Sequence, residues 1–292
     1  MTQKFLAAVF AFVTSLTTAQ ADAVSINGVA RNYKLDEARG SGPRPLIVAL
    51  HGGGGSAAQF KADSGLSPLA TAKGVSVVYP ESLTRQWNDG RAHGRNPKVD
   101  TADDFAFMRA LVHDLVAKGI ADPNRIVFTG ISNGGMMSYA MACTTLLPIY
   151  AVVPVSANVD AGQECSSTHA RLLNIVGTAD RAVPMVGGPV LFGWGQGAVQ
   201  SATASFDMFL KANHCSGTTS KPLPDSADDG MTSQAVMGTG CAQAPVAQII
   251  VNGGGHAWAG GRPRLKRLLG EPTQDFSASA MVVDVALGKA PF

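Results

Sequence analysis

A doubly wound α/β fold, with a mostly parallel sheet and crossover helices on both faces, is predicted by three observations. Continuous apolar runs of strand length recur along the chain. Segments with helical apolar spacing alternate with them. Polar, glycine-flanked motifs sit where those runs end. Such uninterrupted runs fit strands buried on both faces. The strand runs are Pro45–Leu50, Val75–Tyr79, Arg125–Thr129, Tyr150–Val155, Leu172–Val176 and Val246–Val251. Pro154 lacks an N–H, so its strand is expected to end or bulge there. Two alternating runs flank Asn27-Gly28 within Val24–Leu35, a hairpin signal.

The helical segments follow from their spacing. Thr101–Lys118 places Phe105, Met108, Leu111, Val112 and Leu115 on one face, with Thr101 as N-cap and Gly119 as stop. Ser201–Asn213 carries Phe206, Phe209 and Leu210 at i, i+3, i+4. Met136–Ala142 and Phe276–Leu287 also read as helices. Gly217–Gly240 is polar and reads as an irregular surface excursion.

Composition narrows the class. The chain has 292 residues, 46% hydrophobic and 15% charged, with 33 glycines. That suits one substantial core, so residues 24–292 are expected to form a single domain. The formal net charge is +2, and the basic stretch Arg262–Arg267 is short. A nucleic-acid partner is not expected. Lys4, the apolar Phe5–Val13 and the small-residue site Ala21-Asp22-Ala23 predict a signal peptide over residues 1–23. The apolar run is too short to span a bilayer, so export without stable membrane insertion is expected, to the periplasm or beyond the cell. Cys143, Cys165, Cys215 and Cys241 are an even set in an exported chain, which implies two disulfides. The sequential pairing, Cys143–Cys165 and Cys215–Cys241, closes the moderate loops. No C-x-x-C occurs, so no metal site is expected. No dinucleotide fingerprint, P-loop or H-E-x-x-H occurs, and no cofactor is expected.

Gly130-Ile131-Ser132-Asn133-Gly134 is a G-x-S-x-G pentapeptide between a strand run and a helix run, the context of a nucleophile elbow. Side chains at Gly130 or Gly134 would collide with neighbouring elements. In open α/β sheets, ligands bind beyond the carboxyl ends of the strands. Ser132, Asp180, His256 and His51 all follow strand runs at that edge. The chain order Ser, Asp, His is that of α/β-hydrolases. A serine hydroxyl needs a base, so His256 is assigned to take its proton. Asp180 is assigned to orient the imidazole, with Asp160 as a rival placed after another strand run. The N–H of Asn133 and one within Gly52–Gly54 would hold the oxyanion. His51 is expected to brace the glycine loop and border the substrate. His93, His113, His169 and His214 lack a strand-end glycine context. Trp87, Trp194 and Trp258 stand in loops at the same edge, either as an aromatic wall for substrate or as buried loop packing.

Together these residues resemble the exported polyhydroxybutyrate depolymerase and feruloyl/acetylxylan esterase family of α/β-hydrolases. The matching pieces are Leu50–Ser56, Trp87–Arg91, Val99-Asp100 with Asp103-Asp104, Gly130–Met137, Gly177–Pro184 and Gly253–Gly261. The resemblance implies a triad of Ser132, Asp180 and His256, and an oxyanion hole of Asn133 with Gly53 or Gly54. It also implies a substrate border at the Trp87 loop, and the cysteine placements resemble that family's disulfides. Val176 and Ala259 depart from the family's frequent histidine and proline. The expected partner is a small-molecule or polymeric ester, acted on by a monomer. Soluble or carbohydrate-linked feruloyl and acetyl esters come first, polyesters second. A competing class is an inactive scaffold that binds glycan or polymer through its tryptophans.

Overall fold

The computed structural model describes residues 22–91, 97–144, 146–166, 168–190, 197–262 and 265–289. The predicted signal peptide lies outside them except for Asp22 and Ala23; Trp194 and His93 lie outside them too.

The chain opens with a hairpin of β1 (Asp22–Ile26) and β2 (Val29–Asp36). Asn27 and Gly28 both have positive φ, 50° and 81°, as a type I′ turn requires. β3 (Arg44–Leu50), β4 (Ser76–Pro80), β5 (Ala121–Ile131), β6 (Ala151–Val155) and β7 (Arg171–Gly177) follow. Short β8 (Gly188–Pro189) and β9 (Ala198–Val199) pair apart from the main sheet. β10 (Gly217–Pro222), β11 (Thr232–Thr239) and β12 (Val246–Asn252) complete the strands. The large sheet has the order β1-β2-β4-β3-β5-β6-β7-β12-β11-β10. Its six central strands, β4 to β12 in that order, are parallel, and both margins are antiparallel.

Helices cover both faces. α1 (Ala57–Ser64), α2 (Leu66–Ala72) and α8 (Ala278–Ala286) pack on Ile47, Ala49, Val77, Val127 and Val153. α4 (Asp104–Ala117), α5 (Asn133–Cys143) and α6 (Ala202–Ala212) pack on Leu46, Val48, Leu50, Val78 and Phe128. Successive residues of β3 thus feed opposite cores, the period-two alternation of a strand covered on both sides. Short α3 (Pro97–Asp100) and α7 (Lys266–Leu269) lie in loops.

Several expectations are corrected. α4 is capped by Asp103, whose carboxylate accepts from Ala106 N–H at 2.9 Å, and not by Thr101. A carboxylate at that position also meets the positive end of the helix dipole. β6 neither ends nor bulges at Pro154. Its register with β7 is the same at Val152 and Val155, and only the pairs between them are missing. Gly217–Gly240 is not irregular: β10 and β11 form an antiparallel hairpin on the sheet edge. Every residue of β10 is exposed, so no apolar alternation marks it. α1 and α2 carry no clear apolar stripe either. Both predicted disulfides are present, Cys143–Cys165 and Cys215–Cys241.

Candidate active site

The carboxyl ends of the parallel strands carry the site. β5 turns into α5 at Ser132, whose φ of 57° and ψ of −126° are strained for a residue with a Cβ. Such a conformation costs about 1–3 kcal/mol and persists only when its surroundings impose it. Here Ser132 N–H donates to Val155 O (3.0 Å) and Ser132 O accepts from Met136 N–H (2.9 Å). Gly134 permits the close approach. A Cβ there would stand 2.3 Å from Leu50 O and 2.5 Å from His51 O. The absence of that carbon lets the end of β3, and the glycine loop after it, rest on the elbow.

The glycine loop is held from several sides. His51 Nδ1 donates to Gly52 O (2.9 Å), and Gly55 N–H donates to the same oxygen (3.0 Å). His51 Nε2 accepts from Ser82 N–H (3.3 Å) and lies 3.6 Å from Glu81 Oε1. Both ring nitrogens are therefore engaged in bracing the loop, and the ring is 1% exposed. His51 lines the cleft, and both of its ring nitrogens are committed to the loop. Gly54 is removed from the expected oxyanion donors, because its N–H donates to Arg85 O at 2.7 Å. Gly53 remains, with its Cβ position 3.8 Å from Asn133 Cβ. Asn133 N–H opens α5, so it has no partner within that helix. Gly53 and Asn133 thus lie side by side at the elbow.

Burial holds the His51 imidazole below its usual range, against the raising influences of the Gly52 bond and Glu81. The folded protein therefore favours the neutral ring, while the unfolded chain takes up a proton near pH 6.5. Stability is expected to fall as pH drops below about 6.5, until the lower folded value is passed. Urea unfolding between pH 7.5 and 5 should show a shallower slope for His51→Asn than for the native chain. Equal slopes would contradict this account.

The imidazole of His256 meets Asp180. Nδ1 stands 2.8 Å from Asp180 Oδ2, and the two side chains are nearly buried. Asp180 Oδ1 accepts from Ala182 N–H and Val183 N–H, both at 2.8 Å. The His256 backbone is held by its N–H to Leu269 O (2.6 Å). Asp160, the rival carboxylate, sits in a turn and accepts from Gly162 N–H instead. Ser132 and His256 line one cleft of about 160 Å³, with Gly53, Phe60, Trp258 and Arg262. His113, His169 and His214 do not line it.

The tryptophans divide. Trp258 lines the cleft. Trp87 forms no wall: it is fully buried, and its indole N–H donates to His51 O (2.9 Å). The loop around Trp87 is fastened by the Asn133 side chain. Asn133 Oδ1 accepts from Trp87 N–H (2.7 Å), and Nδ2 donates to Trp87 O (3.1 Å) and Asp89 Oδ2 (2.7 Å). Asp89 is also paired with Arg91.

Sequence reasoning gave Asp104 no role. Its buried carboxylate accepts from Arg31 of β2 (2.5 Å) and from Asn88 N–H (2.7 Å). It ties the Trp87 loop to α4. Burial pushes its carboxyl up, while Arg31 and Asn88 oppose that shift. Arg31 and Asp104 lie 73 residues apart, a distance at which spacing gives no signal.

A mostly parallel sheet wrapped by helices, with a strained serine turn at its carboxyl edge, defines an α/β-hydrolase. Residues 34–190 match the family described as Esterase PHB depolymerase, and the chain belongs to that esterase family. It is similar to NocK of Nocardia uniformis subsp. tsuyamanensis, 27% identical over 287 residues, 93% of this chain and 83% of that one. It is 28% identical over 232 residues to feruloyl esterase B of Piromyces equi, covering 75% of this chain and 40% of that one. Among solved structures, an acetyl xylan esterase from Aspergillus awamori superposes with a TM-score of 0.56 at 16% identity. That match covers 81% of this chain and 91% of the other.

Proposed function

We propose that this chain is an exported serine esterase. Ser132 Oγ attacks the ester carbonyl as His256 Nε2 removes its proton. The Asp180 carboxylate keeps the His256 proton on Nδ1 and favours the charged ring that forms. Gly53 N–H and Asn133 N–H receive the oxyanion. The tetrahedral intermediate collapses as His256 returns the proton to the leaving alcohol. Water, activated by the same imidazole, then cleaves the acyl–Ser132 ester. The observation that carries this reading is the strained Ser132 sharing one cleft with a histidine whose Nδ1 is fixed by a buried carboxylate.

Feruloyl and acetyl esters of polysaccharides are the proposed substrates. Support comes from the feruloyl and acetyl xylan esterases to which the chain is similar. The small cleft supports a single acyl group, since about 160 Å³ lies below the roughly 300–1,000 Å³ of drug-sized ligand sites. Export, followed by work as a monomeric single domain, completes the proposal. Two disulfides support an oxidising compartment. No helix of the described residues is long and apolar enough to cross a membrane.

An organophosphate such as diisopropyl fluorophosphate should label the chain once, on the peptide that carries Ser132. Peptide mass mapping reads the site. An unlabelled protein, as a glycan-binding scaffold without catalysis would give, or a label elsewhere, would reject the proposal.

A further inference from the structure

A second cavity opens at the amino ends of the strands, on the edge away from Ser132. It holds about 380 Å³, more than twice the volume of the Ser132 cleft and within the roughly 300–1,000 Å³ of small-molecule sites. β7 opens with Arg171 and runs seven residues to Gly177, so about 20 Å of strand separates this cavity from the edge that carries Asp180. Leu173, Met237, Pro245 and Val285 give it apolar walls. Its polar side chains are Tyr150, Arg171 and Lys289, and among the described residues no Asp or Glu lines it.

The sheet sets the polar groups in a row. β6 lies between β5 and β7, and Tyr150 stands directly before β6. Its N–H donates to Ile126 O (2.9 Å), and its carbonyl accepts from Arg171 N–H (3.2 Å). Its ring meets a guanidinium from each neighbouring strand. Arg171 Cζ is 3.9 Å from the ring centroid, and Arg125 Cζ is 4.5 Å from it. The two cations are thus at most about 9 Å apart and repel each other. Among the described residues, neither has a carboxylate in ion-pair range. The acids nearest in sequence are turned elsewhere. Asp284 of α8 pairs with Lys73 (3.4 Å), and Asp122 accepts from Asn124 N–H (2.9 Å).

Donors remain open at this row. A guanidinium over a ring face spends no N–H on the ring. Of the Arg171 side-chain donors, only Nη1 is engaged among the described residues, at 3.5 Å from Tyr150 O. The Tyr150 hydroxyl accepts from Arg125 Nη1 (2.9 Å), which leaves its own proton to donate. Lys289 adds an exposed ammonium, placed by its N–H to Asp284 O (2.9 Å).

We infer that this cavity binds carboxylic acids with an apolar body. The carboxylate meets Arg171, the Tyr150 O–H and Lys289, and the body lies against Leu173, Met237 and Val285. A planar carboxylate matches the forked N–H groups of a guanidinium, and its charge offsets the repulsion between Arg171 and Arg125. A neutral amphiphile gains only the walls, and a short acid such as acetate gains only the charge. The inference is independent of the esterase reading, because no residue lining the Ser132 cleft takes part.

Calorimetric titration of the purified full chain with 4-phenylbutyrate, 4-phenylbutan-1-ol and acetate tests it. A hydrogen bond to a charged group corresponds to about tenfold or more, so phenylbutyrate should bind tighter than either other probe by at least that factor. Arg171→Met should bring phenylbutyrate and the alcohol to similar affinity, and Arg171→Lys should keep part of the difference. Lys289→Gln, at an exposed position, should reduce the difference with the fold intact, and it keeps the test open if Arg171→Met does not fold. Met237→Trp, which fills the cavity, should weaken phenylbutyrate while Arg171 is still present. Absence of saturable phenylbutyrate binding, or equal affinity for acid and alcohol in the native chain, would overturn the inference. So would phenylbutyrate binding that none of these variants changes, which would place the acid elsewhere on the molecule.

Discussion

Alanine in place of Ser132 is expected to lower kcat by about a million-fold, with folding unchanged. The expectation follows from what the hydroxyl does and does not touch. Its side chain caps no helix N–H, so its removal strands no structural partner. Alanine keeps a Cβ, so φ of 57° is as strained in the variant as in the native chain. Stability should therefore stay within about 0.5 kcal/mol. Glycine at the same position separates strain from chemistry. Ser132→Gly should lose activity equally while relieving about 1–3 kcal/mol of backbone strain, which raises the unfolding midpoint. Residual turnover about 10³–10⁴ above water is expected in both variants, because the Gly53 and Asn133 N–H groups survive. Initial rates on 4-nitrophenyl acetate, with urea unfolding in parallel, read both quantities. A Ser132→Ala protein that keeps more than about a hundredth of native kcat would remove Ser132 from the nucleophile's role.

The edge that carries the candidate site was legible in the sequence because its residues sit next to strong local signals. Ser132, Asp180 and His256 each follow an apolar strand run, and three parallel strands bring their ends to one side. The glycines at 130 and 134 are visible as letters, and their reason is the backbone of Leu50 and His51 lying where a Cβ would be. Features that depend on distant pairing were not legible. Gly54 looks as good an oxyanion donor as Gly53 until Arg85 O is found bonded to it. Trp87 reads as a loop aromatic, yet its N–H is consumed by His51 O within the core. Asp104 reads as a first-turn helix acid, and only the fold brings Arg31 to it. β10 escaped notice because an exposed edge strand needs no apolar face. Periodicity reports burial, and elements that bury little leave a weak pattern.

Asp180→Asn should lower kcat by about 10⁴ while preserving the site's shape, and the hydrogen bonds around residue 180 give the reason. In the native chain one carboxylate oxygen accepts from both Ala182 N–H and Val183 N–H. The other faces His256 Nδ1 at 2.8 Å. An asparagine amide has one oxygen and one NH₂. The two backbone N–H groups require the oxygen on their side, since turning the amide would set NH₂ against both donors. The NH₂ must then face His256 Nδ1, which becomes an acceptor. The ring proton moves to Nε2, the nitrogen that has to be bare to take the Ser132 proton. The variant thus keeps its packing and carries the wrong tautomer. Nitrogen-15 chemical shifts of the His256 ring report which nitrogen is protonated and should invert between native and variant. Ester turnover should fall together with that inversion, and Asp180→Ala, which leaves Ala182 and Val183 N–H without their acceptor, should lose stability as well. Native-like turnover in Asp180→Asn with the tautomer inverted would show that the base is not His256.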